Sequence, residues 1–389
     1  MAERLRVAMV GMGFMGAAHS QGWRVAPRFF DLPLRPEMAV LVGRDPSRAA
    51  AAAERWGWSE SSADWREVVR RDDIDVVDIV TPGDSHAEIA IAALEAGKHV
   101  LCEKPLANSV AEAEEMVRAA DAAAARGVYA AVGFTYRRVP AIQLARRLVE
   151  QGRIGEVRQV RAQYLQDWLA DPTTPLSWRL DKQKAGSGAL GDIGAHVVDL
   201  AQFVTGERLV GVAGMLETFV RERPVPASFS GLSGEAGEGT GPVTVDDAAI
   251  FFGRLSGGGT ATFEATRYAW GRKNAIRLEV SGTRGSLAFD FEDMNLLHFY
   301  DAEDDAQVAG FRRIVVTEPE HPYGGHWWPA GHGLGYEHAF THQVVDLVGD
   351  LAAGKQPTPS FADGLAVQRV LDAVERSSDA GHAWVDLPG

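Results

Sequence analysis

From Leu5 to about Phe134, short apolar runs alternate with stretches of helical period: Leu5–Val10, a helix from about Met15, Met38–Val42, Pro46–Trp56, Val76–Ile79, His86–Ala96, His99–Cys102, Val110–Ala125 and Tyr129–Gly133. Such alternation predicts parallel strands joined by right-handed crossovers, a doubly wound sheet. The turns agree, with Thr81-Pro82-Gly83-Asp84 after one strand and Gly97 and Gly127 ending helices. After Arg137 a helix over Pro140–Gln151 leads into Val157–Tyr164. Ala248–Phe252, Gly259–Ala265, Ile276–Ser281 and Ser286–Asp290 then alternate with period two, as strands with one covered face do. Further helices are predicted over Ala189–Thr205, Glu337–Ala353 and Phe361–Ser378. Arg223 to Val243, dense in Pro, Gly and Ser without period, reads as a long mobile loop. The expected fold class is α/β, with a nucleotide-binding domain over residues 1–134 and a β-rich second domain over residues 135–389.

Length supports two domains, since 389 residues exceed what one core usually organises. Charge narrows the partners: 53 acidic against 39 basic residues give a net charge of -14, which disfavours nucleic acid and anionic membranes and points to a small molecule. The single cysteine, Cys102, excludes an internal disulfide framework and a multi-cysteine zinc site, and fits a reducing compartment, with cytoplasm the default. Residues 1–10 show no secretion signal and no run of about 18 apolar residues occurs, so a soluble protein is expected.

Chemistry enters with Gly11-Met12-Gly13-Phe14-Met15-Gly16. Three glycines at this spacing are weak evidence alone, but here they follow an apolar strand and open a helix. Gly11 then allows the tight turn, Gly13 lets a pyrophosphate approach the backbone, and Gly16 lets helix and strand pack, with Phe14 and Met15 between them. Cys102-Glu103-Lys104-Pro105 closes another strand of the same domain. That position places Glu103 and Lys104 at the ligand crevice of an open parallel sheet, where a half-buried lysine can exchange protons near neutrality. Thr81-Pro82 with His86 sits where a nicotinamide ribose would lie, or alternatively caps a helix. The second strand ends Val42-Gly43-Arg44-Asp45: Gly43 leaves room for a 2′-phosphate that Arg44 would pair with, which leans towards NADP, while Asp45 would serve NAD and Arg44 could equally be solvated. Asp192 and His196, four apart, share a helix face and suit a substrate hydroxyl, a surface pair or a metal half-site, metal being the weakest for lack of a third ligand nearby.

These motifs together resemble the Gfo/Idh/MocA oxidoreductases, the glucose-fructose oxidoreductase and inositol dehydrogenase family. The resemblance spans essentially the whole chain and rests on Gly11 to Gly16, Thr81-Pro82 with His86, Glu103-Lys104-Pro105, and Gly191-Asp192-Ile193-Gly194-Ala195-His196 with Asp199, in order. It implies a Rossmann domain followed by an α/β domain whose large open, mostly antiparallel sheet often forms a homo-oligomer interface, as a dimer or tetramer. It also implies a catalytic set of Lys104, Asp192 and His196, with Arg137 in a hinge close to substrate. Tyr164-Leu165-Gln166-Asp167-Trp168, Ser177-Trp178-Arg179, His321-Pro322-Tyr323-Gly324 and Ser360-Phe361-Ala362-Asp363-Gly364 are similar to a subset that oxidises C3 of an anhydro-sugar or glycoside with NAD.

The expected activity is NAD(P)-dependent hydride transfer between nicotinamide and a secondary hydroxyl of a sugar, anhydro-sugar, glycoside or inositol-like polyol. Lys104 or His196 would take the hydroxyl proton, and Asp192 would orient the neighbouring hydroxyl. Sugar rings pack on aromatic planes, so Tyr164, Trp168, Trp178, Tyr323, Trp327 and Trp328 are candidate walls, and Gln163, Arg179 and His326 candidate anchors, although most large aromatics serve cores or interfaces. The competing readings are an NAD-dependent glycosidase of the same fold, an enzyme with non-dissociating NADP that shuttles hydride between two sugars, and a non-catalytic dinucleotide sensor, which would have no use for Lys104, Asp192 and His196 together. A cis Lys104–Pro105 bond is expected, turning the chain so that the lysine points to the nicotinamide.

Overall fold

The computed structural model describes residues 3–230 and 233–388. It divides into two compact units, Met1–Thr135 with Gly335–Gln368, and Tyr136–Leu334 with Arg369–Gly389. A single sequential boundary therefore misses one excursion: Gly335–Gln368 return to the first unit, where the helix Tyr336–Ala352 packs on the helix α1 (Phe14–Phe29).

The first unit is built on six strands, β1 (Glu3–Val10), β2 (Leu34–Val42), β3 (Glu60–Ser62), β4 (Val76–Ile79), β5 (His99–Cys102) and β6 (Ala130–Val132). They lie in the order β3-β2-β1-β4-β5-β6, all parallel. Strand order reverses between β1 and β4, and in such sheets ligands bind at that switch point, beyond the strand carboxyl ends. Gly11 follows β1 there and Thr81 follows β4. Val7, Met9, Val76, Leu101 and Trp23 of α1 meet Val344, Leu347 and Val348 of the returning helix in one core. The helix α2 (Pro46–Trp56) shows how local sequence sets an element: Asp45 caps it by accepting from the backbone N–H of Ser47 and Arg48, Pro46 opens it, and Gly57 closes it in the left-handed region at φ 86°.

The second unit holds a nine-stranded sheet of β7 (Val157–Leu165), β8 (Leu209–Glu217), β11 (Ala248–Leu255), β12 (Thr260–Thr266), β13 (Ala275–Gly282), β14 (Gly285–Asp290), β15 (Leu296–Asp301), β16 (Arg312–Val315) and β17 (Val385–Asp386), with β9 (Glu222–Ser230) and β10 (Ser233–Pro242) apart as an antiparallel pair. Order in the large sheet is β16-β15-β14-β13-β7-β12-β11-β8-β17, antiparallel except where β7 meets β12. The helix Ala195–Thr205 packs against β7 and β13 and is buried along nearly all its length, its polar residues His196, Asp199 and Gln202 included.

Two expectations give way. The stretch from Arg223 to Val243 is not a loop but β9 paired with β10; its residues 231 and 232 lie outside the described residues. Proline density misled because a two-stranded ribbon is all edge, and Pro224 and Pro226 sit where no ladder N–H is needed. The single helix expected over Ala189–Thr205 begins instead with a π-wound turn, Leu190–Gly194, before the α-helix Ala195–Thr205. Such turns recur at functional sites. Among the described residues no helix is long and apolar enough to cross a membrane.

Candidate active-site residues of the two units

In the first unit the glycine loop has the geometry its spacing predicts. Gly11 sits at φ 120°, and a Cβ there would stand 2.8 Å from the Val80 carbonyl oxygen; one at Gly16 would stand 2.9 Å from the Gly11 oxygen. Open space surrounds the Gly13 Cβ position, and Gly13 precedes α1 as its N-terminal cap residue, leaving the first N–H groups with no side-chain cap. A pyrophosphate fits that opening, where free N–H groups and the helix dipole favour an anion. Phe14 is 49% exposed and stacks on Tyr336 at 6.1 Å, while Met15 packs against the core below.

The end of β2 corrects the reading of Gly43. A Cβ there would lie 2.6 Å from the Met12 sulfur, so the space beside Gly43 is taken up by the flexible end of a side chain from the glycine loop. Arg44 is exposed. Asp45 serves as the α2 cap, and the Arg48 N–H, the Ser47 hydroxyl and the Ser47 N–H hold its carboxyl below the usual range. Thr81 and Pro82 form the turn after β4, with the Ser85 hydroxyl 2.8 Å from that of Thr81. His86 is buried, its Nε2 2.9 Å from the Thr81 oxygen and its Nδ1 3.0 Å from the Pro105 oxygen. It ties two loops together rather than presenting a free edge to a cofactor.

Lys104 is half-buried directly after β5, and its bond to Pro105 is cis. Glu103 is buried and turned inward: Oε1 lies 2.9 Å from His19 Nε2, and Oε2 accepts the Lys104 backbone N–H at 3.1 Å. It is thus a support for the lysine, not a cofactor contact. His19, on α1, sits between Glu103 and Asp78, its Nδ1 2.9 Å from Asp78 Oδ2, which also accepts from Trp23 Nε1 at 2.7 Å. Asp78 is the one charged residue in the otherwise apolar β4, and this network is its reason.

Carboxylate oxygens only accept, so both ring nitrogens of His19 donate and the ring is an imidazolium. Burial opposes that charge, but Asp78 and then Glu103 outweigh it and raise the His19 pKa to about 10. Because the folded value lies above the unfolded one of about 6.5, the contribution to stability is complete below pH 6.5 and fades as pH rises towards 10. Urea unfolding of the wild type and a His19→Gln variant should therefore show their stability gap narrowing from pH 6.5 to 10; a constant gap would refute the charged ring.

In the second unit Asp192 lies in the π-wound turn, 29% exposed, with Oδ2 accepting from Arg267 Nη2 at 2.8 Å. The turn is held from behind by buried Asp246, which accepts the N–H groups of Gly188 and Leu190, each at 2.7 Å. Gly188 allows this approach, since a Cβ would stand 1.8 Å from the Asp246 oxygen. Arg179 lies near the same carboxylate; burial lowers its pKa, Asp192 opposes that and the neighbouring Arg267 adds to it. Arg267 is fully buried, its guanidinium 5.5 Å from the Trp168 ring centre, and Nε and Nη1 have no partner among the described residues.

His196 opens the α-helix. Its ring meets Tyr136 edge-on at 4.7 Å and Tyr164 at 5.8 Å. From those tyrosines a polar chain runs on. The two hydroxyls lie 2.9 Å apart, Tyr164 donates to Asn274 Oδ1 at 2.6 Å, Gln166 Nε2 donates to the same oxygen at 2.9 Å, and Trp168 Nε1 donates to Gln166 Oε1 at 3.0 Å. With Arg267 beneath Trp168, one set of contacts connects the surroundings of His196 to those of Asp192.

Four sequence-predicted residues stand elsewhere. Gln163 is on the opposite face of β7 from Tyr164, donating to Glu264 across the sheet at 2.7 Å; strand alternation separates the two, and Gln166 takes the part expected of Gln163. Arg137 is buried in a two-pronged ion pair with Asp199, Nε to Oδ2 at 2.9 Å and Nη2 to Oδ1 at 2.6 Å, with Phe203 beneath it. Tyr323 lies in a separate loop of this unit at φ 63°, and Trp178 is exposed under the Arg179 guanidinium. The missed residues are His19, Tyr136, Gln166, Arg267 and Asn274. Only period-two counting along β7 would have found Gln166.

Residues 5–134 match the model of an oxidoreductase family with an NAD-binding Rossmann fold, and residues 142–288 match the GFO/IDH/MocA C-terminal domain. The chain is 44% identical to the levoglucosan dehydrogenase of Pseudarthrobacter phenanthrenivorans, covering 99% of both sequences. A solved oxidoreductase domain protein from Kribbella flavida is 66% identical with TM-score 0.95 and full coverage of both chains. The structure of levoglucosan dehydrogenase in complex with NADH and levoglucosan is 42% identical, TM-score 0.93, again over the whole of both chains. With the glycine loop, the Glu103-Lys104-Pro105 strand end and the Asp192–His196 turn all in place, this chain belongs to the GFO/IDH/MocA family of NAD-binding oxidoreductases.

Proposed function

We propose that the protein is an NAD-dependent dehydrogenase that oxidises a secondary hydroxyl of an anhydro-sugar, glycoside or related polyol. The observation carrying this reading is the second unit's cluster: Asp192 held by Arg267, and His196 walled by Tyr136 and Tyr164, with Trp168 and Gln166 connecting them. Polar groups for hydroxyls beside aromatic planes for C–H faces are what a sugar ring requires. Full-length similarity to an enzyme named for levoglucosan supports it.

NAD, when bound, supplies the hydride acceptor. Lys104 Nζ takes the proton of the reacting hydroxyl in the oxidative direction, a role that its half-buried place at the end of β5 suits. In the second unit His196, and Asp192 held as an acceptor by Arg267, offer hydrogen bonds to substrate hydroxyls. Thr81 and Pro82 stay with the nicotinamide ribose, and exposed Arg44 with the adenine side. NAD is preferred to NADP, in keeping with the NADH held by the similar levoglucosan dehydrogenase. A panel of sugars, anhydro-sugars and inositols assayed with each cofactor tests both claims. NADH formation with levoglucosan or a similar ring is expected; silence with every polyhydroxylated compound refutes the substrate class, and turnover with NADP alone refutes the cofactor.

The reading includes a cytoplasmic homo-oligomer. The lone cysteine is buried at the end of β5, which fits a reducing compartment. Met215 and Ile250 are cross-strand partners that are both exposed, as is Phe252, close to Trp384. Together they form an apolar patch of the kind that partners cover. Light scattering should give a mass of two or more chains, lowered by Phe252→Asp; a monomer at all concentrations would sink this part.

A further inference from the structure

The least ordinary group in the first unit is a buried cation under an otherwise apolar sheet. His19 contributes nothing to a hydrophobic core, and its place is costly unless both of its partners are kept. What it does is legible from the far side of those partners. Asp78, anchored by Trp23 Nε1, fixes one edge of the ring; the other edge fixes Glu103 Oε1. Phe340 packs on the ring at 5.3 Å, and Gly133 leaves the space that Glu103 Oε1 occupies, since a Cβ there would come within 2.8 Å of it. The remaining oxygen, Oε2, accepts the backbone N–H of Lys104. On the other side of the lysine, His86 Nδ1 lies 3.0 Å from the Pro105 oxygen.

We propose that His19 and Glu103 are positioning residues for Lys104: the imidazolium locks the Glu103 carboxylate, the carboxylate holds the Lys104 main chain, and with His86 at Pro105 they fix the segment from which Nζ works. The proposal rests on the assignment of Lys104 as the proton acceptor. The groups facing His19 are Asp78 from β4, Glu103 from the end of β5, Trp23 on its own helix and Phe340 from the returning helix; the buried Cys102 thiol is pushed up by burial and then by Glu103 and Asp78. Mispositioning by an ångström suffices to cost about 100-fold in rate.

The test compares Glu103→Ala, Glu103→Gln and Lys104→Met with the wild type. Turnover is measured on levoglucosan, or on whichever polyol of the panel is oxidised. NADH affinity is read by fluorescence, and backbone amide exchange at Lys104 by mass spectrometry. Glu103→Ala should lower kcat by about 10- to 100-fold, with NADH affinity little changed and Lys104 amide protection lost while Val100 and Leu101 stay protected. Glu103→Gln keeps an oxygen for the Lys104 N–H and should recover most of the rate. In the Lys104→Met background Glu103→Ala should add little further loss, because both act through one group. If Lys104→Met is inactive yet Glu103→Ala turns over like wild type with unchanged amide protection, the positioning role is overturned alone. If Lys104→Met is itself active, the lysine assignment falls and this inference with it. Should Glu103→Ala not fold, His19→Gln, which retains a donor towards Asp78, is judged by the same readouts.

Discussion

Lys104→Met lowers turnover by about two to four orders of magnitude, the usual worth of a positioned acid–base group, while NADH still binds. Methionine keeps most of the apolar stem and removes only the group that exchanges a proton. The backbone N–H at this position is held by Glu103 Oε2, a contact that does not depend on the Lys104 side chain. The loss therefore falls on kcat, with KM for the polyol and the affinity for NADH changing far less. Steady-state kinetics with a fluorescence titration of NADH decide it. Near wild-type kcat would move the acid–base role to His196.

Arg137→Ala is the substitution expected to cost most in stability, about 3–5 kcal/mol, the range for breaking a buried ion pair by removing one partner. Asp199 is fully buried, and both its oxygens are engaged by Arg137. Truncation leaves that carboxylate without its guanidinium and strips the cation from the Phe203 ring, 4.9 Å away. The pair joins the segment Thr135–Arg138 to the helix Ala195–Thr205, whose first residues include His196. Urea unfolding should show the loss, and the double variant Arg137→Ala/Asp199→Ala should be less destabilised than the sum of the two single changes. A variant as stable as wild type but with a large rise in KM would instead make Arg137 the substrate contact that its place in the chain suggested.

Arg137 also shows what kind of error the linear chain invites. Its position in a family-like segment was legible; its partner, 62 residues later, was not. The same holds for Glu103, which reads as part of a lysine motif yet spends its carboxylate on His19, 84 residues earlier. Gln163 and Gln166 differ by a finer margin. Both are near the right tyrosine, and the alternation of β7 turns Gln163 to the other face while Gln166, just past the strand end, reaches Asn274 beside it.

Some features needed no tertiary information. Largely apolar runs of four to six residues between helical stretches determine the parallel sheet, because a strand buried on both faces has little polar side to show. The glycine loop, the capped start of α2 and the placing of Lys104 after β5 are equally local, since each depends on backbone geometry within a few residues. What the fold alone decided is how the charges are spent. Lys104 and Asp192 are two polar residues of the same chain, and sequence can propose both as chemistry. Only the packed structure shows that Asp192 is held by Arg267, that Asp199 belongs to Arg137, and that the strand end carrying Lys104 rests on a buried imidazolium. A buried charge must find a partner at hydrogen-bond distance, and long-range folding, rather than neighbouring sequence, chooses that partner.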